Sequence, residues 1–190
     1  MTSRRRPVRD PTMPRDPHTS PPSPAEPLPG AHERFNELVG DLDYPMFIVT
    51  ASAGNRRAGC LVGFVTQGSI DPSRFLVCIS EQNHTYRVAR EATALAVHFV
   101  PSSANALAEL FGGRTGDELD KFAHCKWSPG PLGTPILAEC GNWFVGRVLD
   151  QLRLGDHVGF LLDPVEARMS TPQSDFTFHR ARRIDPGHEA

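Results

Sequence analysis

The sequence predicts a mostly β fold of the α+β class, a β-barrel carrying a few peripheral helices. Three observations lead there. Strand-period runs dominate between about residues 31 and 170, stretches with helical spacing are few and short, and two long apolar runs are separated by Gly155-Asp156. Strands interrupted by so few helices do not make a doubly wound sheet, in which strand and helix alternate.

The first thirty residues differ from everything after them. They hold nine of the eighteen prolines and the run Arg4-Arg5-Arg6, with almost no large apolar side chain. Such a segment cannot bury enough surface to offset its ordering entropy, so residues 1–30 are expected to be a disordered tail. No apolar h-region follows the arginines, so a solvated tail is preferred to a targeting signal.

A domain is expected over residues 31–170. It opens with ERFNELVGDL (33–42), where Phe35, Leu38, Val39 and Leu42 fall at helical spacing. YPMFIVTAS (44–52) is a strand with Pro45 near its start. GCLVGFVTQGSI (59–70) reads as one second strand, RFLVCIS (74–80) as a third and ALAVHFV (94–100) as a fourth. SANALAELFG (103–112) and GDELDKFAH (116–124) have helical intervals, with Asp117 placed to cap the second. NWFVGRVLDQLRL (142–154) and HVGFLLDPV (157–165) then form a hairpin, Gly-X being the two-residue loop of a type II′ turn. Alternation places Phe144, Val148, Leu152 and Leu154 on one face, packing against Val158, Phe160 and Leu162. From 171 to 190, basic residues and Pro186-Gly187 read as a loose C-terminal tail.

With 190 residues and 39% hydrophobic side chains, the chain can bury the core of one ordinary domain. A formal net charge of −2 lacks the basic excess of a nucleic-acid binder. No run approaches the roughly 20 apolar residues that cross a bilayer. Cys60, Cys78, Cys125 and Cys140 are scattered without a CxxC pair, which favours reduced thiols in a cytoplasm over disulfides or zinc. His124-Cys125 lacks two further ligands at sensible spacing, so no metal is expected. The motifs GxGxxG, GxxxxGK[ST], HExxH and GxSxG are all missing.

ISEQNHTYRVAR (79–90) poses a sharper question. An apolar run ends, and Asn83, His84 and Thr85 open a short helix where backbone N–H groups lack partners. These residues either cap the helix, worth about 1 kcal/mol, or cradle an anion.

Taken in order over about residues 35–167, YPMFIVTAS, AGCLVGFVTQGSIDP, RFLVCIS, NHTYRVA, FGGRTGDELDKF, PILAEC and LGDHVGFLLDPV resemble the flavin reductase-like family. The resemblance implies an FMN-binding split β-barrel, a homodimer with flavin near the subunit interface. It also implies hydride transfer from NAD(P)H to FMN, or to FAD, with reduced flavin passing to an acceptor or a partner oxygenase. By the same resemblance, Ser80, Asn83, His84 and Thr85 hold the flavin phosphate. Leu61, Val62, Gly63, Val65, Thr66 and Gln67 lie along the isoalloxazine, and Lys121 and Phe122 flank it from the helical side. His157, from the Gly-Asp-His stretch, would help to position the nicotinamide. The family's Gly-x-Thr-x-Ser reads Gly59-Cys60-Leu61-Val62-Gly63 here, so two hydroxyls are lost and main-chain groups must meet the ring.

Packing alternatives stand beside each assignment. Gly63 permits close approach in a strand, His157 starts a strand, Phe122 fits a helix core, and Lys121 fits a solvated surface. Missing acid–base motifs agree with a reductase, because the cofactor carries the chemistry. Two rivals remain: a non-catalytic flavin-binding protein or electron carrier, which the lost hydroxyls favour, and a barrel holding another planar cofactor such as heme or a deazaflavin.

Overall fold

The structure, a computed structural model, describes residues 26–170 and 174–186. The chain divides into two compact units after Asp41. Helix α1 (Ala31–Gly40) belongs to the first; none of its residues is buried, and Phe35 and Leu38 are exposed. It stops short of Leu42. The expectation for residues 1–25 lies outside the described residues.

The second unit is built on strands β1 (Phe47–Ala53), β2 (Arg56–Val62), β3 (Val65–Ile70), β4 (Ser73–Ser80), β5 (Ala94–Phe99), β8 (Trp143–Arg153) and β9 (His157–Arg168). They pair antiparallel in the order β2-β1-β5-β8-β9-β4-β3. The two edge strands, β2 and β3, are consecutive in the chain and joined only by Gly63-Phe64. Two residues span at most about 7 Å, so the sheet must curl until its edges meet. No ladder links β2 to β3, and the barrel is therefore split along that seam. The predicted single strand over 59–70 is thus two strands: the apolar run continues through Gly63-Phe64, but the backbone turns there to change edges.

Inward residues such as Val49, Cys60, Val62, Val77, Leu95, Phe160 and Leu162 fill the barrel. A second core lies outside β1 and β2, where Leu107, Ala108 and Phe111 of α3 (Asn105–Gly112) pack with Ile48, Phe122, Leu137 and Phe176. The short hairpin β6 (Trp127–Pro129) and β7 (Pro135–Leu137) and helices α2 (His84–Ala89) and α4 (Phe178–Ala181) complete the unit.

Three further expectations are corrected. The 116–124 stretch is not one helix: a turn closes at Leu119, and a 3₁₀ turn restarts at Lys121–His124 because the Asp120 carboxylate accepts from Phe122 N at 3.0 Å. Asp and its neighbours compete in this way with helix continuation. Leu152 and Leu154 are exposed, not packed against Phe160. A register shift between Val148 and Asp150 puts one extra residue, Leu149, into β8 and exchanges its faces beyond that point.

The C-terminal segment, expected to be loose from 171, is docked over 174–186. Met46 N donates to Phe176 O and Phe176 N to Val100 O, Phe176 is buried, and Tyr44 stacks on Phe178 at 4.8 Å. Main-chain bonds and aromatic contacts hold a segment whose composition looks polar.

Candidate flavin site

Strand β2 turns Ala58, Cys60 and Val62 inward and so presents Arg57, Gly59 and Leu61 to the outside of the barrel, with Gly63 just beyond its end. Gly59 lies under Phe111, whose ring would come within 2.7 Å of an added Cβ. Leu61 packs on Gly112 at the end of α3. At Gly63 an added Cβ would meet the Tyr44 ring at 2.5 Å, and that ring is held by its stack on Phe178. A serine at this position would collide with Tyr44, which gives the lost hydroxyl a physical reason. Val62 faces the barrel core, while Val65 is half-buried and Thr66 and Gln67 are exposed on β3.

Beside the start of β2 a cleft of about 320 Å3 is lined by Asn55, Arg57, His84, Asp117, Lys121 and Phe122, among others. Lys121, which the resemblance places beside the flavin and for which a solvated surface was the alternative, is buried: its Nζ donates to Gly59 O at 3.1 Å and to Phe111 O at 3.0 Å. It ties the edge strand to the carbonyl end of α3, where the helix dipole favours a cation. Burial lowers its pKa. Phe122 is a core residue, edge-on to Phe111 and Trp127. The Arg57 guanidinium lies over Trp127 at 4.6 Å.

The turn at residues 80–85 divides its groups between cap and cleft. Asn83 Oδ1 accepts from Thr85 N at 2.9 Å, so the capping half of the earlier question is answered. Thr85 is 1% exposed, its hydroxyl bonded to the buried Cys60 thiol, so its side chain serves the core. His84 and Arg87 behave differently. His84 Nδ1 lies 2.9 Å from Asp117 Oδ1, and Arg87 Nη2 donates to the same oxygen. Hydrogen bonds from His84 and then Arg87 hold the Asp117 carboxyl down to about 2. An anion therefore does sit at this turn, and it is the protein's own carboxylate. Gly116 makes the contact possible, since an added Cβ would lie 2.6 Å from the His84 ring.

On the other side of the turn, Ser80 pairs with His157 across β4 and β9. Leu154 N donates to His157 O at 2.9 Å, and Gly155 takes φ +102, a conformation glycine adopts readily. The hairpin thus fixes where His157 stands. Its Nδ1 is 2.9 Å from Asp156 Oδ1, which leaves Nε2 directed away from that carboxylate. The imidazole lies 5.2 Å from the ring of Phe64.

Three residues of this region escaped the sequence reading: Arg57, Phe64 and Arg87. Phe64 had a local signal, an aromatic breaking the small-residue run around Gly63. The others depend on pairings between distant segments and left none.

Among the described residues no helix is long and apolar enough to cross a membrane, and no His/Cys/Asp/Glu cluster could hold a metal ion.

Comparison with known proteins bears on this geometry. Residues 39–186 match the family model described as flavin reductase like domain. The chain is 28% identical over 127 residues to the FMN reductase (NADH) RutF of Bradyrhizobium diazoefficiens, spanning 67% of this chain and 70% of that protein. It superposes on the NADH:FAD oxidoreductase SgcE6 of Streptomyces globisporus C-1027 with TM-score 0.71 at 21% identity, covering 82% of this chain and 93% of the other. A nitrilotriacetate monooxygenase component B homolog from Mycobacterium thermoresistibile gives TM-score 0.70 at 20% identity, covering 79% and 83%. At these identities the two structural likenesses establish the split-barrel fold.

Proposed function

The chain belongs to the flavin reductase-like family, and from that premise we propose that it is an NAD(P)H-dependent flavin oxidoreductase that binds FMN, with FAD as the larger alternative. The observation that carries this reading is the set of groups gathered around the 80–85 turn. On one side stand Ser80 and His157, on the other His84 and the Arg87 guanidinium of α2. A ligand with a planar end and a phosphate end would run from the first pair to the second.

The residues present fit such a group. His84 and Arg87 would hold the phosphate by charge-assisted hydrogen bonds, displacing Asp117. Ser80 and Asn83 shape the turn, while main-chain groups of Leu61 and Gly63 and the exposed Thr66 would border the ring; Val65 packs on the barrel core and Gln67 lines a separate pocket with Phe75 and Phe144. Lys121 fixes the β2 backbone in place. Bound flavin supplies the redox chemistry by accepting hydride from the nicotinamide. His157, with Asp156 setting its orientation, would donate or accept a hydrogen bond at the nicotinamide carboxamide through Nε2. Val62, Thr85 and Phe122 contribute packing that keeps these groups in register.

The same reading makes the protein a homodimer, supported by the exposed Leu149, Leu152 and Leu154 on the β8–β9 ribbon. It also makes a flavin-dependent oxygenase a fitting consumer of reduced flavin, as the name of the component B relative indicates. A second reading, a flavin carrier without reductase activity, is favoured by Leu61 and Gly63, where ring-facing hydroxyls are lost.

Titration of the purified protein with FMN and with riboflavin, followed by NADH and NADPH oxidation, tests the proposal. Saturable FMN binding is expected, and Arg87→Gln should weaken FMN by roughly tenfold while leaving riboflavin unchanged, since one charge-assisted bond contributes about 1.5–3 kcal/mol. FMN binding without nicotinamide oxidation would establish the carrier. No binding of either flavin would overturn both readings.

A further inference from the structure

Phe64 is 58% exposed although it lies at the seam where the two edges of the barrel meet. Its position is nonetheless fixed. Phe64 O accepts from Cys78 N at 2.9 Å, and Val65 N donates to Gly63 O at 3.0 Å. Its ring stands 5.2 Å from the His157 imidazole at an interplanar angle of 55°. His157 in turn is steadied by Asp156.

The neighbours on either side cannot do what Phe64 can. Leu61 is covered by α3, and Gly63 has Tyr44 over it. Val62 points into the core. Between residues 61 and 64, Phe64 alone offers an open side chain, and it offers a flat one. An aromatic ring on a pinned backbone loses little freedom when a planar ligand stacks on it, and such stacks add to simple area burial.

We propose that Phe64 is the ring-stacking residue of the flavin site, orienting the isoalloxazine beside His157 in place of the two hydroxyl groups this chain lacks. The inference rests on the flavin reading and deepens it. Loss of the hydroxyls is then an exchange of directional hydrogen bonds for a π-face, and flavin affinity survives it.

The test uses Phe64→Ala and Phe64→Tyr in the full-length protein, titrated with FMN and with riboflavin, while flavin fluorescence and the visible band are recorded. Phe64→Ala should weaken both flavins alike by about tenfold, because the contact involves the ring and not the phosphate. It should also reduce the quenching of bound-flavin fluorescence, a signature that a purely structural role would not move. Phe64→Tyr should restore affinity and quenching to within about twofold of the parent protein. Unchanged affinity and spectrum for Phe64→Ala overturn the proposal while the flavin site stands. A parent protein that binds neither flavin overturns the flavin reading, and this proposal with it.

Discussion

His98 lies fully buried between β1 and the β6–β7 hairpin, its Nδ1 2.9 Å from Ile48 O and its Nε2 accepting from Leu137 N at 3.1 Å. Two backbone partners fix the neutral tautomer with the proton on Nδ1. Burial pushes its pKa down to about 4, against the partial pull of the Ile48 carbonyl. In the unfolded chain the same imidazole titrates near its ordinary value of about 6.5. The sign follows directly: below that pH the unfolded chain gains a proton that the folded protein refuses until about pH 4. Stability should therefore fall as pH falls through this window, by about 3 kcal/mol from this residue alone. His98→Gln keeps one donor and one acceptor but does not titrate. Urea denaturation at pH 7 and pH 4.5 should show a smaller acid loss for this variant than for the parent protein; equal losses would remove His98 as the cause.

The loop from Gly113 to Asp120 is the element whose behaviour the ion pairs decide. Asp117 holds His84 and Arg87, and the Asp117 and Arg87 side chains are exposed enough that the contact is easily exchanged. Asp117→Asn removes the internal carboxylate without removing its neighbours. If a flavin phosphate competes for those two side chains, this variant should bind FMN up to about fivefold more tightly, with riboflavin unaffected, an exposed ion pair being worth about 1 kcal/mol at most. Weaker FMN binding would mean that Asp117 positions His84 and Arg87 for the ligand instead. Elements with strong periods, such as Phe47–Ala53 and Ala94–Phe99, were legible in the sequence because burial on the barrel wall demands apolar side chains. The break at Gly63-Phe64 was hidden because Val62 and Val65 continue the apolar run across it. The facing of Leu152 depends on one extra residue three positions earlier, which period-2 reading does not detect. The helix opening at Asn83 and the strand start at His157 were legible in the local sequence, whereas Asp117 and Arg87 meet only through folding. Thr85 and Phe122, which the resemblance implies touch flavin, are buried, because the deciding neighbours, Cys60 and Trp127, come from other elements.

At the scale of the molecule, β8 and β9 are inserted between strands from the first half of the chain. β5 pairs with β8, and β4 pairs with β9, joining residues 75–80 to 157–162. The β1–β2 and β3–β4 hairpins are local, yet no direct ladder connects them except through this late ribbon. A chain ending at Gly141 should accordingly show no cooperative urea transition by circular dichroism, although it retains five of the seven barrel strands. A sharp transition in that fragment would show that the early strands close without the ribbon. For a ribosome making this protein, the two-residue seam at Gly63-Phe64 has a temporal meaning. The seam emerges early, but the inner edge of the β3–β4 hairpin, the one that β9 covers, stays unpaired until roughly eighty more residues have been added. Through that interval the nascent β4 is an open strand edge, the state in which a chaperone or another copy of the chain can pair with it.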